Sequence, residues 1–264
     1  MRLAKPELDV AIVPSDPETT CTFYRDVLGF EETPSMPLGK RAVQRRFRVG
    51  GSLLKCNCLG QPPARQHGGV ERAIGMRLLA FVLDDLDTVL AKLDGAGHKH
   101  SALPVPETLP YRVSFSKDPE GNVLELVGLR KPAGDKLKAR LQVGLTVADV
   151  ERSRHFYGTQ LGLPEEPVMK VGGAVGVRYG FTWGASTVKF WSVPGELPIE
   201  SGAPNERAGI RFFTAMVEDL AAAHDEIVSK DIKVVMPPTE LPGVARIMFI
   251  ADPDGNWIEL AQRL

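Results

Sequence analysis

The segment DPEGNVLEL (118–126) recurs 134 residues later as DPDGNWIEL (252–260), and this repeat decides the fold. Further matches, at a spacing of 133 residues, are FY (23–24 and 156–157) and LG (28–29 and 161–162). The spacing therefore changes by a single residue over most of the chain, which indicates a tandem duplication. A period this long corresponds to two whole domains, because solenoid repeats have units of roughly 20–50 residues.

Length and composition agree with two soluble domains. The chain has 264 residues, and a typical domain has ~150. A net charge of -1 gives no general attraction to nucleic acid or anionic membranes. The N-terminal segment MRLAKPELDV lacks the apolar core of a signal peptide, and three cysteines without a secretion signal favour reduced thiols. We expect a cytoplasmic monomer or homodimer with neither nucleic-acid nor membrane partners.

Each copy contains the order strand, helix and three strands twice. In the first copy an apolar strand (8–14) precedes a helix that Asp16 or Ser15 can cap, and Gly50-Gly51 predicts a hairpin between two later strands. The chain is therefore predicted to be an α+β protein of four βαβββ modules. We place the first domain at residues 1–130, a polar linker at 131–140 and the second domain at 141–264.

These motifs, in this order and twice over, resemble the vicinal oxygen chelate superfamily, which includes glyoxalase I, bleomycin-resistance proteins and extradiol dioxygenases. The resemblance implies that pairs of βαβββ modules curl into cup-shaped, half-open barrels. It also implies one divalent metal in a cup. The family's ligands come from the first strand of a module, seven residues before the following aspartate, and from the last strand. Those positions hold Asp9, Leu78, Gln142 and Phe212, and Lys55, Glu125, Lys189 and Glu259.

This residue set departs from the family pattern, which normally includes at least one histidine. Leu78 and Phe212 cannot ligate a metal, and zinc prefers three or four ligands, mostly nitrogen or sulfur. Whether a cup forms within one copy or between copies, it receives an oxygen donor, a lysine, a glutamate and an apolar residue. We expect Lys55 and Lys189 to replace the charge of the metal. The alternative is Mg, Mn, Fe or Zn in one cup, held by Gln142 and Glu259.

The first functional hypothesis is a lyase or isomerase acting on a small oxygenated or aromatic molecule. Glu259 would be the base, and Lys189 or a metal would stabilise an oxyanion. Lys55 and Glu125 are the corresponding catalytic candidates. Candidate ligand-binding residues are Asp9, Leu78, Gln142, Trp191 and Phe212.

Two alternatives remain. One is a non-catalytic protein that binds or sequesters an antibiotic-like molecule, as bleomycin-resistance proteins do. The other is extradiol ring cleavage, which needs two histidines and a carboxylate on iron. Gln142 and Phe212 argue against that chemistry. Phe212 and Trp191 both belong to the second copy, so we expect them to give one cup an aromatic wall.

Overall fold

The computed structural model describes residues 1–130, 141–171 and 175–264. The linker predicted at 131–140 lies outside the described residues. The described residues contain four α-helices, namely α1 (Pro17–Thr22), α2 (Leu86–Gly95), α3 (Val150–Arg154) and α4 (Leu220–Ser229). The strands of the first copy are β1 (Asp9–Val13), β2 (Glu31–Pro37), β3 (Ala42–Val49), β4 (Ser52–Leu59), β5 (Gly75–Leu83), β6 (Ser101–Leu103), β7 (Tyr111–Lys117) and β8 (Val123–Leu129). Those of the second copy are β9 (Leu141–Thr146), β10 (Met169–Lys170), β11 (Val177–Trp183), β12 (Ser186–Trp191), β13 (Gly209–Met216), β14 (Val234–Leu241), β15 (Ala245–Ala251) and β16 (Trp257–Arg263).

The strands form two eight-stranded sheets, and each sheet combines modules from both copies. One sheet has the order β14-β15-β16-β13-β1-β4-β3-β2, which joins the first and fourth modules. The other has the order β10-β11-β12-β9-β5-β8-β7-β6, which joins the second and third modules. We call the concave faces of these sheets the first cup and the second cup. The sequence left the pairing open, and the structure shows that the modules pair between copies.

In each sheet, the first strands of the two modules pair antiparallel and so join the modules. β1 pairs with β13 in one sheet, and β5 pairs with β9 in the other. Every residue of β1, β5 and β13 is buried, as expected for central strands covered on both faces. Leu, Val and Phe side chains from both sheets and from the helices form one large core, which includes Phe81 and Phe213. Smaller separate clusters line each cup.

An aspartate caps the helix of each module, and in the first module, where Asp16 or Ser15 was predicted, the cap is Asp16. The Asp16 side chain accepts a hydrogen bond from the Thr19 backbone N–H, and Asp149 caps the corresponding helix in the second copy. The helix predicted after Asp16 is α-helical only to Thr22 and continues as a π-helical turn from Phe23 to Val27. This turn buries Phe23 and Tyr24 against the core.

The repeated DP turns are stabilised by buried aspartates. Asp118 accepts hydrogen bonds from the backbone and side chain of Asn122, both at 2.8 Å, and from the Tyr24 hydroxyl at 2.7 Å. Asp252 accepts the equivalent bonds from Asn256 and Tyr157. Burial raises the pKa of both aspartates to about 6. The family motif that revealed the duplication is thus a structural turn.

Two long loops cross between the sheets and pair with each other. The first loop precedes β5, and the second loop precedes β13. The buried carboxylate of Glu200 forms an ion pair with Arg77 at 3.0 Å. It also accepts a hydrogen bond from the His67 backbone N–H at 2.8 Å. Arg211, the repeat equivalent of Arg77, donates to three backbone carbonyls of the second loop, and burial lowers its pKa to about 10. These arginines therefore fix the loops against the sheets.

The three cysteines, Cys21, Cys56 and Cys58, are free and buried, as expected from the sequence. No helix among the described residues is long and apolar enough to span a membrane.

Candidate functional site

The first cup contains a cavity of about 300 Å³. Four residues predicted from the sequence line it, namely Asp9, Lys55, Phe212 and Glu259. Lys55 comes from the first copy, and Phe212 and Glu259 come from the second, so the site exists only because the copies exchange modules. Apolar side chains from the β2–β3 and β14–β15 hairpins complete the wall: Met36, Leu38, Leu241, Val244 and Ile247.

A buried ion pair lies in this cavity wall. The Lys55 ammonium donates to Glu259 Oε2 at 2.9 Å and to the Thr214 hydroxyl at 2.6 Å. Thr214 in turn donates to the same Oε2 atom. Among the described residues, Glu259 Oε1 accepts no hydrogen bond, and one N–H of Lys55 remains unused. The cavity therefore presents one free carboxylate oxygen and one free ammonium hydrogen to a ligand.

Thr214 was not among the residues predicted from the sequence. It lies on β13 two residues beyond Phe212, and alternate residues of a strand point to the same face. The strand register places it between Asp9 on one side and Glu259 on the other. Applying the two-residue period to the predicted first-strand position would have found it. In the second cup the equivalent residue is Ala80, which has no hydroxyl.

Asp9 lines the cavity, but one of its oxygens is already engaged. Asp9 Oδ1 accepts a hydrogen bond from the Leu53 backbone N–H at 2.7 Å and forms an ion pair with Lys5. Its side chain is only 3% exposed. These contacts hold β1 against β4 and the N-terminal segment, so Asp9 is better suited to shaping the cup than to reacting in it.

One wall of the first cup is aromatic. The Lys55 Nζ atom lies 5.6 Å from the Phe212 ring centroid, within cation–π distance. Phe249 packs edge-on against Phe212 at 5.2 Å, and Trp257 lies 5.2 Å from Phe249. A flat apolar group can therefore pack beside the charged groups.

The second cup has the same ion pair but a different interior. Lys189 donates to Glu125 Oε2 at 2.7 Å. Trp191 packs in the cup against Leu78 and Ala80, and a Cβ atom added to Gly144 would lie 2.6 Å from its ring. Among the described residues, the buried Nε1 atom of Trp191 has no hydrogen-bond partner.

The first cup has smaller side chains in the corresponding place. The residue equivalent to Trp191 is Asn57, two residues beyond the lysine, and it accepts a hydrogen bond from Gln44 at 2.9 Å. The indole thus occupies space in the second cup that stays open in the first.

The structure corrects three predictions about which residues lie in the same cup. Glu259 does not share a cup with Lys189, because each cup contains the glutamate of one copy and the lysine of the other. Gln142 lies on β9 in the second cup, so it cannot share a metal ion with Glu259. Phe212 and Trp191 do not form one aromatic wall, since they belong to the separate clusters of the two cups.

The sequence profile of the glyoxalase/bleomycin resistance protein/dioxygenase superfamily matches residues 8–126 and 140–260. The chain belongs to this superfamily. It is 29% identical over 124 residues to the uncharacterized protein YaeR of Escherichia coli, covering 44% of this chain and 91% of that protein. It is 26% identical over 126 residues to the uncharacterized protein YwbC of Bacillus subtilis, covering 46% and 94%. Glyoxalase I from Zea mays superposes with a TM-score of 0.72 at 19% identity, covering 99% of this chain and 92% of that one.

The superfamily implies a divalent metal, but the donors of these cups do not fit one. Among the described residues, no group of three or more His, Cys, Asp or Glu side chains is placed to hold a metal ion. In the first cup the carboxylate of Glu259 already faces an ammonium, which repels a cation, and Phe212 offers no lone pair. In the second cup Glu125 faces Lys189 and Leu78. Neither set provides the three or four donors that zinc requires.

Proposed function

We propose that the first cup binds a small oxygenated organic molecule and acts on it as a lyase or isomerase. The supporting observation is the Lys55–Glu259–Thr214 cluster, which lies in the wall of an open cavity beside the aromatic side chains of Phe212 and Phe249. Cavities of this size, mostly apolar with a few convergent polar groups, are typical of small-molecule sites.

In this proposal the Lys55 ammonium supplies the positive charge that a metal supplies elsewhere in the superfamily. Its unused N–H donates to a carbonyl or similar oxygen of the ligand. The side chain is 11% exposed, so water screens its charge less than on the protein surface. Phe212 and Phe249 pack against the body of the ligand, which favours a flat or aromatic group.

Glu259 is placed to move a proton. Its free Oε1 atom accepts a proton from the carbon next to the ligand carbonyl, and the electron pair of that C–H bond moves onto the carbonyl oxygen. Lys55 stabilises the resulting enolate, as preorganised donors do at developing oxyanions. In an α-hydroxy carbonyl ligand, the hydroxyl proton then moves to the former carbonyl oxygen. Return of the carbon-bound proton from Glu259 to the former carbonyl carbon shifts the carbonyl by one position, which is an isomerisation. Departure of a leaving group from the next carbon along is an elimination, which is a lyase reaction.

A second candidate function is binding without turnover, as in a protein that sequesters a small toxic molecule. The observation that favours it is that the ion pair is complete without a ligand, since Glu259 Oε2 accepts from both Lys55 and Thr214. The first cup would then be an apolar receptacle with a fixed polar group at one end.

A ligand screen followed by an exchange assay distinguishes the enzyme from the protein that only binds. A library of small ketones, enones and hydroxy acids is screened for thermal stabilisation, because a bound ligand stabilises by RT ln(1 + [L]/Kd). Each hit is then incubated with enzyme in D₂O and followed by NMR. An enzyme exchanges or converts the hit, and Glu259→Gln lowers that rate at least about 100-fold with little loss of binding. Hits that bind without any exchange support sequestration.

The second cup supplies the matched controls. Lys189→Met and Glu125→Gln remove the equivalent groups from the cup that Trp191 fills. We expect them to leave binding and exchange of the hits unchanged. If they abolish both while Lys55→Met and Glu259→Gln have no effect, the site is in the second cup and the proposal is wrong. Prior treatment with a chelator should leave binding unchanged, because the proposal assigns the charge of the metal to Lys55.

A further inference from the structure

The charges that line the first cup are unbalanced. Three cations line the cavity, namely Arg46, Lys55 and Arg263, against two carboxylates, Asp9 and Glu259. Asp9 is already paired with Lys5. Glu259 alone therefore faces three positive side chains, and its Oε2 atom is engaged by Lys55.

Arg46 lies directly opposite Lys55. The two residues are register partners on β3 and β4, so their side chains project from the same face. Cβ atoms of such pairs are about 5 Å apart, and like charges directly opposite each other are destabilising. Glu259 neutralises Lys55, so the charge that has no counter-ion beside this pair is that of Arg46.

Neither arginine has a carboxylate partner among the described residues. The Arg46 guanidinium donates from Nε and Nη2 to the Pro34 carbonyl oxygen, which orients it and leaves Nη1 free. The Arg263 side chain makes no hydrogen bond or ion pair within the part of the chain that the structure describes, although its backbone pairs with Ala245 in the sheet. It lies four residues beyond Glu259 on β16, which is about 13 Å along the strand on the same face.

These arginines are specific to the open cup. The repeat equivalent of Arg46 is Gly180, the register partner of Lys189, and the equivalent of Arg263 is Leu129. The second cup, which Trp191 fills, thus keeps the lysine–glutamate pair but lacks both arginines. The second cup does have a cation in Arg178, the equivalent of Gln44, but Glu166 pairs with it at 3.1 Å. Arg46, by contrast, has no carboxylate partner among the described residues.

We infer that the ligand of the first cup is an anion, with a carboxylate or phosphate group held by Arg46 and approached through Arg263. This inference rests on the proposed function and adds the substrate class. The anionic group lies next to Arg46, a second oxygen lies on Lys55, and the apolar body packs on Phe212. A planar guanidinium suits two oxygens of such a group, because it donates parallel hydrogen bonds.

The test compares an anion with its neutral counterpart. Isothermal titration calorimetry measures binding of benzoylformate, phenyl phosphate and the neutral methyl benzoylformate. Benzoylformate carries a ring, a ketone oxygen and a carboxylate. We expect at least one anion to bind at least about tenfold more tightly than the ester. Arg46→Gln should remove that advantage and leave ester binding within about twofold, and Arg263→Gln alone should weaken binding of the anion but not of the ester.

Arg48→Gln is the matched control. Arg48 lies two residues along the same strand, is paired with Glu31 and does not line the cavity. Its loss should leave all three affinities unchanged. The inference is overturned if neither anion binds, if the ester binds as tightly as both anions, or if Arg48→Gln weakens anion binding as much as Arg46→Gln.

The same titrations distinguish this inference from the proposed function. Ester binding that requires Lys55 but not Arg46 would retain the proposed function and overturn the anionic ligand. Anion binding that requires Arg46 but is unchanged in Lys55→Met would do the reverse. Binding that is lost in both variants supports both.

Discussion

Removing Lys55 should destabilise the protein strongly, and removing Glu259 with it should restore much of the loss. Both side chains are 11% exposed, and Lys55 contacts Glu259 at 2.9 Å. Lys55→Met leaves a buried carboxylate without its cation, which typically costs ~3–5 kcal/mol. Because some exposure remains, we expect a value near the lower limit, about 3 kcal/mol.

The other members of the cycle follow from the remaining contacts. Glu259→Leu should cost about 2 kcal/mol, because Lys55 can still donate to Thr214. The double variant should also cost only about 2 kcal/mol, mainly for the Thr214 hydroxyl, which loses both partners. The two single losses then exceed the double loss by about 3 kcal/mol, a large coupling for one pair.

The assay is urea unfolding at pH 7, monitored by circular dichroism and evaluated as the shift in midpoint. The control cycle is Lys189→Met with Glu125→Leu, for which we expect weaker coupling because the Glu125 side chain is 20% exposed. A double Lys55/Glu259 variant that loses about 5 kcal/mol, the sum of the single losses, would refute the reasoning. It would mean that the two side chains contribute independently.

Three further predictions concern the cups and the turns. Gly144→Ala should destabilise by about 1–3 kcal/mol in thermal unfolding, because the new methyl group would meet the second cup's indole at 2.6 Å, whereas Gly95→Ala has open space and should not destabilise. Equal effects of the two substitutions would contradict this packing. Ala11→Gly combined with Asn57→Trp should make the first cup resemble the second and weaken ligand binding by at least tenfold without unfolding; unchanged affinity in calorimetry would place the ligand elsewhere. Burial raises the folded-state pKa of Asp252 to about 6, above ~3.9 in an unfolded chain, so its contribution to stability is lost as the pH rises from about 4 to 6. Relative to wild type, Asp252→Asn should therefore gain about 2 kcal/mol between pH 4 and pH 7 in urea unfolding, and a constant difference would contradict the assignment.

The sequence predicted the local elements well because their causes are local. The helix cap at Asp16 and the Gly50-Gly51 hairpin depend on a few neighbouring residues, and the structure confirms them. The repeat then showed that four similar modules follow one another. The lysine and glutamate positions were found by the same comparison, and in the structure one such lysine pairs with one such glutamate in each cup.

The pairing of modules could not be predicted, because it depends on which first strands meet. β1 pairs with β13 rather than with β5, and both choices bury equivalent apolar strands. This one choice determines that Glu259 meets Lys55 and not Lys189. The difference in free space between the two cups could not be predicted either. Asn57 and Trp191 determine it only because their side chains face the cups, which the sequence did not show. The same holds for Arg46, which looks like an ordinary strand arginine until its register with Lys55 is known.

The most direct test of the central claim is a crystal structure of the protein with the tightest-binding ligand from the screen. We expect the ligand in the first cup, with one of its oxygens within about 3.2 Å of Lys55 Nζ and its body against Phe212. A metal ion on Glu259 with Lys55 turned away, or a ligand bound beside Trp191 in the second cup, would contradict it.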